Sequence, residues 1–276
     1  MNDLSSNPNN DQSLLYFTIP IVILMVTCSS IGIWVQQFYS KETVDWLSQC
    51  IGQDISNLIF VSPILIASAK YASKGHKTAK IIWIGTMITN IYSYVIYTFA
   101  LHFNVLFLVY CLILGLSIFS VLNFLMNNIN EDFKSWFSEK APTKIVGILL
   151  FVIACMFTLL WLSDILPAVL TNTVPANITK DNLLINPVQA LDFSFYLPLM
   201  FISSVMLIKK KVLGYLMAPM MLVFAIVTNV NIICLMVVSM QKTLSNNSPI
   251  IIAFCVFAMV CCAFLGLFLK YILKST

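Results

Sequence analysis

The chain has 276 residues, 60% of them hydrophobic and 9% charged, with a mean hydropathy of +0.93 and a net charge of +4. A soluble domain carries roughly 25% charged residues, so the solvent of this chain is lipid. All 15 basic residues are lysines, which excludes bidentate arginine clamps on phosphate or carboxylate, and their scatter between apolar runs excludes a nucleic-acid surface.

The first predicted element is a polar arm over residues 1–13, rich in Asn and Ser, with Asp3 and Asp11 and no lysine. A secretory signal needs a positive start, so the apolar run that follows reads as a retained first helix. Spans of about 20 apolar residues are predicted near 14–35, 55–72, 81–101, 105–126, 145–166, 191–208, 212–240 and 249–273. The expected fold is all-α, a polytopic transmembrane bundle of about eight helices in a single transmembrane domain over 14–276. Pro219 is expected to kink the long seventh span.

The lysines alternate with the spans. Lys70, Lys74, Lys77 and Lys80 follow the second, and Lys134, Lys140 and Lys144 follow the fourth. Lys209 to Lys211 follow the sixth, and Lys270 and Lys274 close the chain. Only Lys41, Lys180 and Lys242 fall on the other side. Twelve lysines against three place the lysine-rich side in the cytoplasm. Both termini are then cytoplasmic, and the chain is a multi-pass protein of the cell's inner (plasma) membrane.

The opposite side collects Glu42, Asp45, Asp54, Asp164, Asp181 and Asp192. Asp54 and Asp192 each read as the opening residue of a helix, where a carboxylate caps free N–H groups. Asp164 sits near the closing end of the fifth span, before Pro167, where capping does not account for it. Trp161 lies three residues earlier on the same helical face. In the third span, Thr86, Thr89, Asn90, Ser93, Tyr94 and Tyr97 share one face. Such a stripe must meet other helices or a wet cavity rather than lipid. His102 lies one turn beyond Tyr97 and is a candidate proton partner. Seven of the eight cysteines fall in apolar runs, and no CxxC occurs, so no metal site and no cofactor are expected.

A faint duplication is visible. Asp54 with Pro63 and Asp192 with Pro198 each precede lysines and then a helix with mid-span asparagine (Asn90; Asn229 and Asn231). A parallel four-plus-four repeat is one reading, and coincidence among apolar helices is the other.

The segments Trp161-Leu-Ser-Asp164-Ile-Leu-Pro167 and Asn186-Pro187-Val-Gln-Ala-Leu-Asp192 resemble a widespread group of uncharacterised bacterial membrane proteins. The resemblance extends to Gln53-Asp54, Asn57, Pro63 and Gly214 to Pro219. This chain has Lys209 to Lys211 where the group usually has arginine. The resemblance implies a bacterial inner-membrane protein and no particular activity.

Three functional readings follow. The leading one is not an enzyme. It is a binding or transport protein with an outward-facing acidic and aromatic site formed by Asp54, Asp164, Asp192, Trp161, Asn90, Tyr94, Tyr97 and His102, for an ion or a small cationic or amphipathic solute, with the lipid bilayer as its surroundings. The second is a membrane enzyme using paired carboxylates on a lipid-like substrate. The third is a structural or sensory subunit.

Overall fold

The computed structural model describes residues 8–35 and 37–273, with side chains from residue 12 onward. Residues 1–7 of the polar arm and Lys274 lie outside the described residues. Nine helices are present among the described residues: α1 (Pro8–Trp34), α2 (Val44–Ala72), α3 (Lys77–Phe99), α4 (Phe107–Asn127), α5 (Thr143–Thr171), α6 (Ala176–Lys180), α7 (Pro187–Ile208), α8 (Gly214–Thr243) and α9 (Ser248–Leu269). Seven of them, all but α3 and α6, are long and apolar enough to cross a membrane. They are the helices of a multi-pass membrane protein. α3 has 23 residues, about 34 Å at 1.5 Å per residue, and it carries Thr86, Thr89, Asn90 and Ser93 along one buried face.

The surface is apolar where a soluble bundle would be polar. Leu108, Phe119, Phe151, Leu159 and Met259 are all exposed. The interior instead buries Ser48, Asp54, Ser56, Asn57, Thr86, Asn90, Ser117 and Asn231. Lipid offers no hydrogen bonds, so polar groups turn towards one another. α8 is the hub and packs on α2, α3, α7 and α9. α1 packs on α2 and α4, and α5 packs chiefly on α7. α9 fully buries only Cys261 and Phe268 and lies at the edge.

Small residues set the crossings, because backbones can approach closely only without a side chain between them. A Cβ on Gly85 of α3 would stand 2.7 Å from the Met220 carbonyl oxygen of α8. One on Gly147 of α5 would stand 3.1 Å from the Ser204 carbonyl oxygen of α7. Ser204 in turn donates from Oγ to the Gly147 carbonyl at 2.8 Å.

The loops segregate into two ends. At one, Lys77 lies 6.0 Å over the Trp136 ring. The Leu273 N–H donates to the Trp136 carbonyl at 2.8 Å, and Phe137 packs on Tyr215, four residues after Lys211. This is the lysine end. At the other, Lys180 pairs with Asp45 at 2.8 Å, and Glu42 meets His102. This is the acidic end.

Three expectations about helix ends are corrected. α2 begins at Val44, eleven residues early, capped by Thr43, whose side chain accepts from the Trp46 N–H. α7 begins at Pro187, capped by Asn186. Neither Asp54 nor Asp192 therefore caps a helix; each sits inside one. Cys50, read as a loop residue, is buried within α2. α5 does not close at Pro167 but runs on to Thr171. α8 continues through Pro219 as a single helix.

Both α2 and α7 contain one π-helical turn, Asn57–Val61 and Asp192–Tyr196. The cause is the proline that follows each. Pro63 and Pro198 lack an N–H, and their rings press on the carbonyl four residues back. Widening the preceding turn by one residue relieves that contact. Ser62 and Leu197 accordingly donate to the carbonyls of Asn57 and Asp192, five residues back. Counted from this shared turn, the position matching Asp192 is Asn57, not Asp54.

Candidate functional site

Asp54 lies mid-way along α2, 1% exposed. Its position rests on Gly32 of α1, where an added Cβ would collide with the carboxylate. Tyr39, in the segment before α2, donates to Oδ2 at 2.7 Å. Tyr97 of α3 donates to Oδ1 at 2.8 Å, and the Ser29 hydroxyl of α1 makes a third contact. Tyr94 stacks on Tyr97 with centroids 5.3 Å apart, and Tyr110 of α4 packs on Tyr97 at 5.2 Å. The result is a carboxylate inside a cage of four tyrosines, drawn from the segment before α2, from α3 and from α4. Asn57 extends the network: it donates to Ser29 Oγ and accepts from Gln53 Nε2.

Trp161 and Asp164, singled out on one face of α5, point at α7. Trp161 Nε1–H donates to Asp192 Oδ2 at 2.7 Å. Gln189 Nε2–H donates to Asp164 Oδ2 at 2.5 Å. Each helix contributes two residues spaced by three, and the helices run antiparallel, so the pairs form two rungs of one clasp. Tyr92 of α3 adds a hydrogen bond to Asp192. Asp164 is exposed and also accepts from Asn177 Nδ2 of α6 at 3.4 Å.

The remaining candidates separate further. Asn90 donates from Nδ2 to Ser117 Oγ of α4 at 2.9 Å, a helix-to-helix bond. The Thr86 and Thr89 hydroxyls bond back to carbonyls four residues earlier on their own helix. His102 pairs its Nδ1 with Glu42 Oε2 at 2.9 Å, and its backbone N–H donates to Glu42 Oε1 at 2.8 Å. The eight predicted residues thus do not converge on one cavity. Tyr94 and Tyr97 stand with Asp54, Trp161 and Asp164 stand in the clasp with Asp192 and Gln189, and Asn90 and His102 each have other partners.

A groove of about 600 Å³ does open at the acidic end. Its walls are the last turn of α3 (Val95, Phe99), the 182–187 segment (Leu184, Ile185) and the start of α7 (Leu191, Phe195), with His102 and Asn182 as polar edges. None of the three predicted carboxylates lines it. A second cavity of about 60 Å³ lies deeper, among Trp46, Cys50, Gln53, Ser93 and Tyr97, and Leu101 borders both.

Beside the groove, Asp181 is half-buried with an Oδ1 that meets no partner. Burial, then the charge of Asp45, pushes its carboxyl above the usual 3.8, and Lys180 offsets part of this. A raised carboxyl pKa means the folded state holds the proton more tightly than the unfolded one. Stability therefore falls as pH rises from the ordinary value through the raised one. Asp181→Asn should raise the thermal midpoint at neutral pH, with the gain vanishing on acidification. A lower midpoint at neutral pH would show that Asp181 has a favourable partner.

Sequence reasoning missed Tyr39, Tyr92, Glu42 and Gln189. No local pattern links Tyr39 to Asp54 or Glu42 to His102, because both contacts are tertiary. Gln189 was findable: its three-residue spacing from Asp192 mirrors that of Trp161 and Asp164. Comparison with known proteins adds no relative: no protein-family model, curated protein or solved structure matches the chain.

Proposed function

We propose that the protein binds or transports a small cationic amphipath, taken into the groove at the acidic end. The carrying observation is that groove. Its volume suits a drug-sized ligand, and its walls are apolar. Asp181, next to Asn182, stands at its polar edge with Asp45 nearby, and Glu42 lies buried behind His102 with both carboxylate oxygens on that residue. Lys180 pairs with Asp45 and faces Asp181, and Lys41, which donates to the Phe103 carbonyl, stands at the same end. An apolar body would lie against Phe99, Leu184 and Phe195, and a cationic head would meet Asp181, whose Oδ1 has no partner among the described residues.

In this reading α3 is the eighth crossing. Its length and the placement of its two ends, Lys77 at the lysine end and His102 beyond its other end, support that assignment. The lysine end faces the cytoplasm by the positive-inside rule, and the groove opens outward. A bacterial inner membrane follows from the sequence resemblance. Two parallel halves, α1–α4 and α5 with α7–α9, are supported by the matched π turns and by corresponding contacts in each half: α1 on α2 and α4, α5 on α7 and α9. A paired-carboxylate enzyme gains no support, since Asp54, Asp164 and Asp192 have separate partners.

The test is saturable binding of tetraphenylphosphonium to the full-length protein in nanodiscs. Ala190→Trp, which fills the groove, should abolish it, and Asp181→Asn should weaken it about tenfold, equivalent to 1.4 kcal/mol. Binding that is indifferent to Ala190→Trp, or absent in the wild type, would overturn the groove reading in favour of a structural subunit.

A further inference from the structure

We propose that Asp54 is a proton-exchange site, loaded from the acidic end through the cavity beside Tyr97. Among the described residues Asp54 has no counter-ion. The titratable groups facing it are Cys28 of α1, Tyr39, Cys50 of its own helix, Tyr94 and Tyr97 of α3, and Tyr110 of α4. No lysine or histidine is among them. An unpaired charge buried in a bilayer is expensive, so such a carboxyl group is kept for chemistry that needs it to gain and lose its charge. A metal ion suits the place poorly, because both carboxylate oxygens already accept hydroxyl protons and an ion would have to displace both tyrosines.

Tyr97 supplies the relay. Its hydroxyl lies 2.8 Å from Asp54 Oδ1 and 3.2 Å from the Cys50 carbonyl oxygen. One hydrogen faces two acceptors. When Asp54 is ionised, Tyr97 donates to it. When Asp54 is protonated, the acid donates to the tyrosine oxygen, and the tyrosine hydrogen turns to the carbonyl or the cavity.

The cavity supplies the path. It has room for about two to four waters and is lined by Tyr97, Cys50, Gln53 and Trp46. Trp46 is 94% buried, and its indole N–H meets no acceptor among the described residues. A buried donor left unpaired costs about 1–3 kcal/mol, and water in this cavity removes that cost. In the unloading step the Asp54 O–H bond breaks and its hydrogen passes to the Tyr97 oxygen. Tyr97 gives its own proton to a cavity water, and the aspartate remains as carboxylate. Loading is the reverse. Leu101, common to the cavity and the groove, marks the way out at the acidic end.

The experiment is infrared difference spectroscopy on the full-length protein in nanodiscs, without amphipath, between about pH 5 and about pH 9. The expected result is a carboxylic C=O band that titrates, is lost in Asp54→Asn and is kept in Asp164→Asn. Tyr97→Phe, which removes a hydrogen bond, should move the band to higher wavenumber, a readout that survives if Asp54→Asn fails to fold. Ser93→Leu, which fills the cavity, should slow deuterium exchange of the band at least about tenfold. No titrating band in the range, exchange unchanged by Ser93→Leu, or a band that follows sodium at constant pH would each overturn the proposal. Since no amphipath is present, these outcomes are independent of the groove reading.

Discussion

Gly52→Val should abolish the folded bundle. An ideal Cβ at Gly52 would stand 2.5 Å from the Leu235 Cα and 2.8 Å from the Cys234 carbonyl oxygen and the Leu235 nitrogen. All three atoms belong to the backbone of α8, so no rotamer change can make room, and α2 and α8 must move apart. Overpacking a core typically costs about 1–3 kcal/mol through side-chain shifts. Separating two helices at the bundle's hub lies at or beyond the upper end. Gly115→Val on α4 is the control, because a Cβ there meets nothing within 4 Å. The measurement is the monodisperse fraction after solubilisation, together with its thermal midpoint. Gly115→Val should behave as wild type and Gly52→Val should aggregate; a monodisperse Gly52→Val with the wild-type midpoint would refute the α2–α8 contact.

The second large effect concerns the tyrosine cage. Tyr39→Phe with Tyr97→Phe should destabilise the protein by about 3–5 kcal/mol, because hydrogen bonds to a charged acceptor contribute about 1.5–3 kcal/mol each and a buried charge that loses its partners is costly. Adding Asp54→Leu should return most of that loss, since an apolar residue in an apolar cage has no unmet acceptor. The deficit of the double variant should also shrink on acidification, because a protonated carboxyl group needs fewer donors. Thermal unfolding of the wild type, the double variant and the triple variant at two pH values measures all of this. If the triple variant is no more stable than the double, the lost stability does not reside in the Asp54 contacts.

What could be read locally came out well. The apolar runs located the long helices, since lipid demands about 20 such residues in sequence and tolerates few charges. The alternation of lysines anticipated two chemically distinct ends. Trp161 and Asp164 were placed on one face by their three-residue spacing, and that face does carry a paired function, the clasp to Asp192 and Gln189. The start of α2 was misjudged by eleven residues because Val44 to Gln53 is polar enough to resemble a loop. It is amphipathic helix, with Trp46, Ser48 and Cys50 turned inward. That error produced the capping account of Asp54.

The sequence by itself determined that this is a multi-helix membrane protein, with lysines gathered between alternate helices and polar groups turned towards one another. Those properties follow from hydropathy, length and periodicity, each a matter of neighbouring residues. Only the tertiary structure decided which polar groups meet. It enclosed Asp54 with tyrosines fifteen residues before it and forty-three after it. It spread the other acids over separate partners, and it formed the groove from α3, α7 and the 182–187 segment. The physical reason is that helix crossings, set by single glycines such as Gly32, Gly52 and Gly85, fix distances between residues far apart in the chain, and no local pattern encodes those distances.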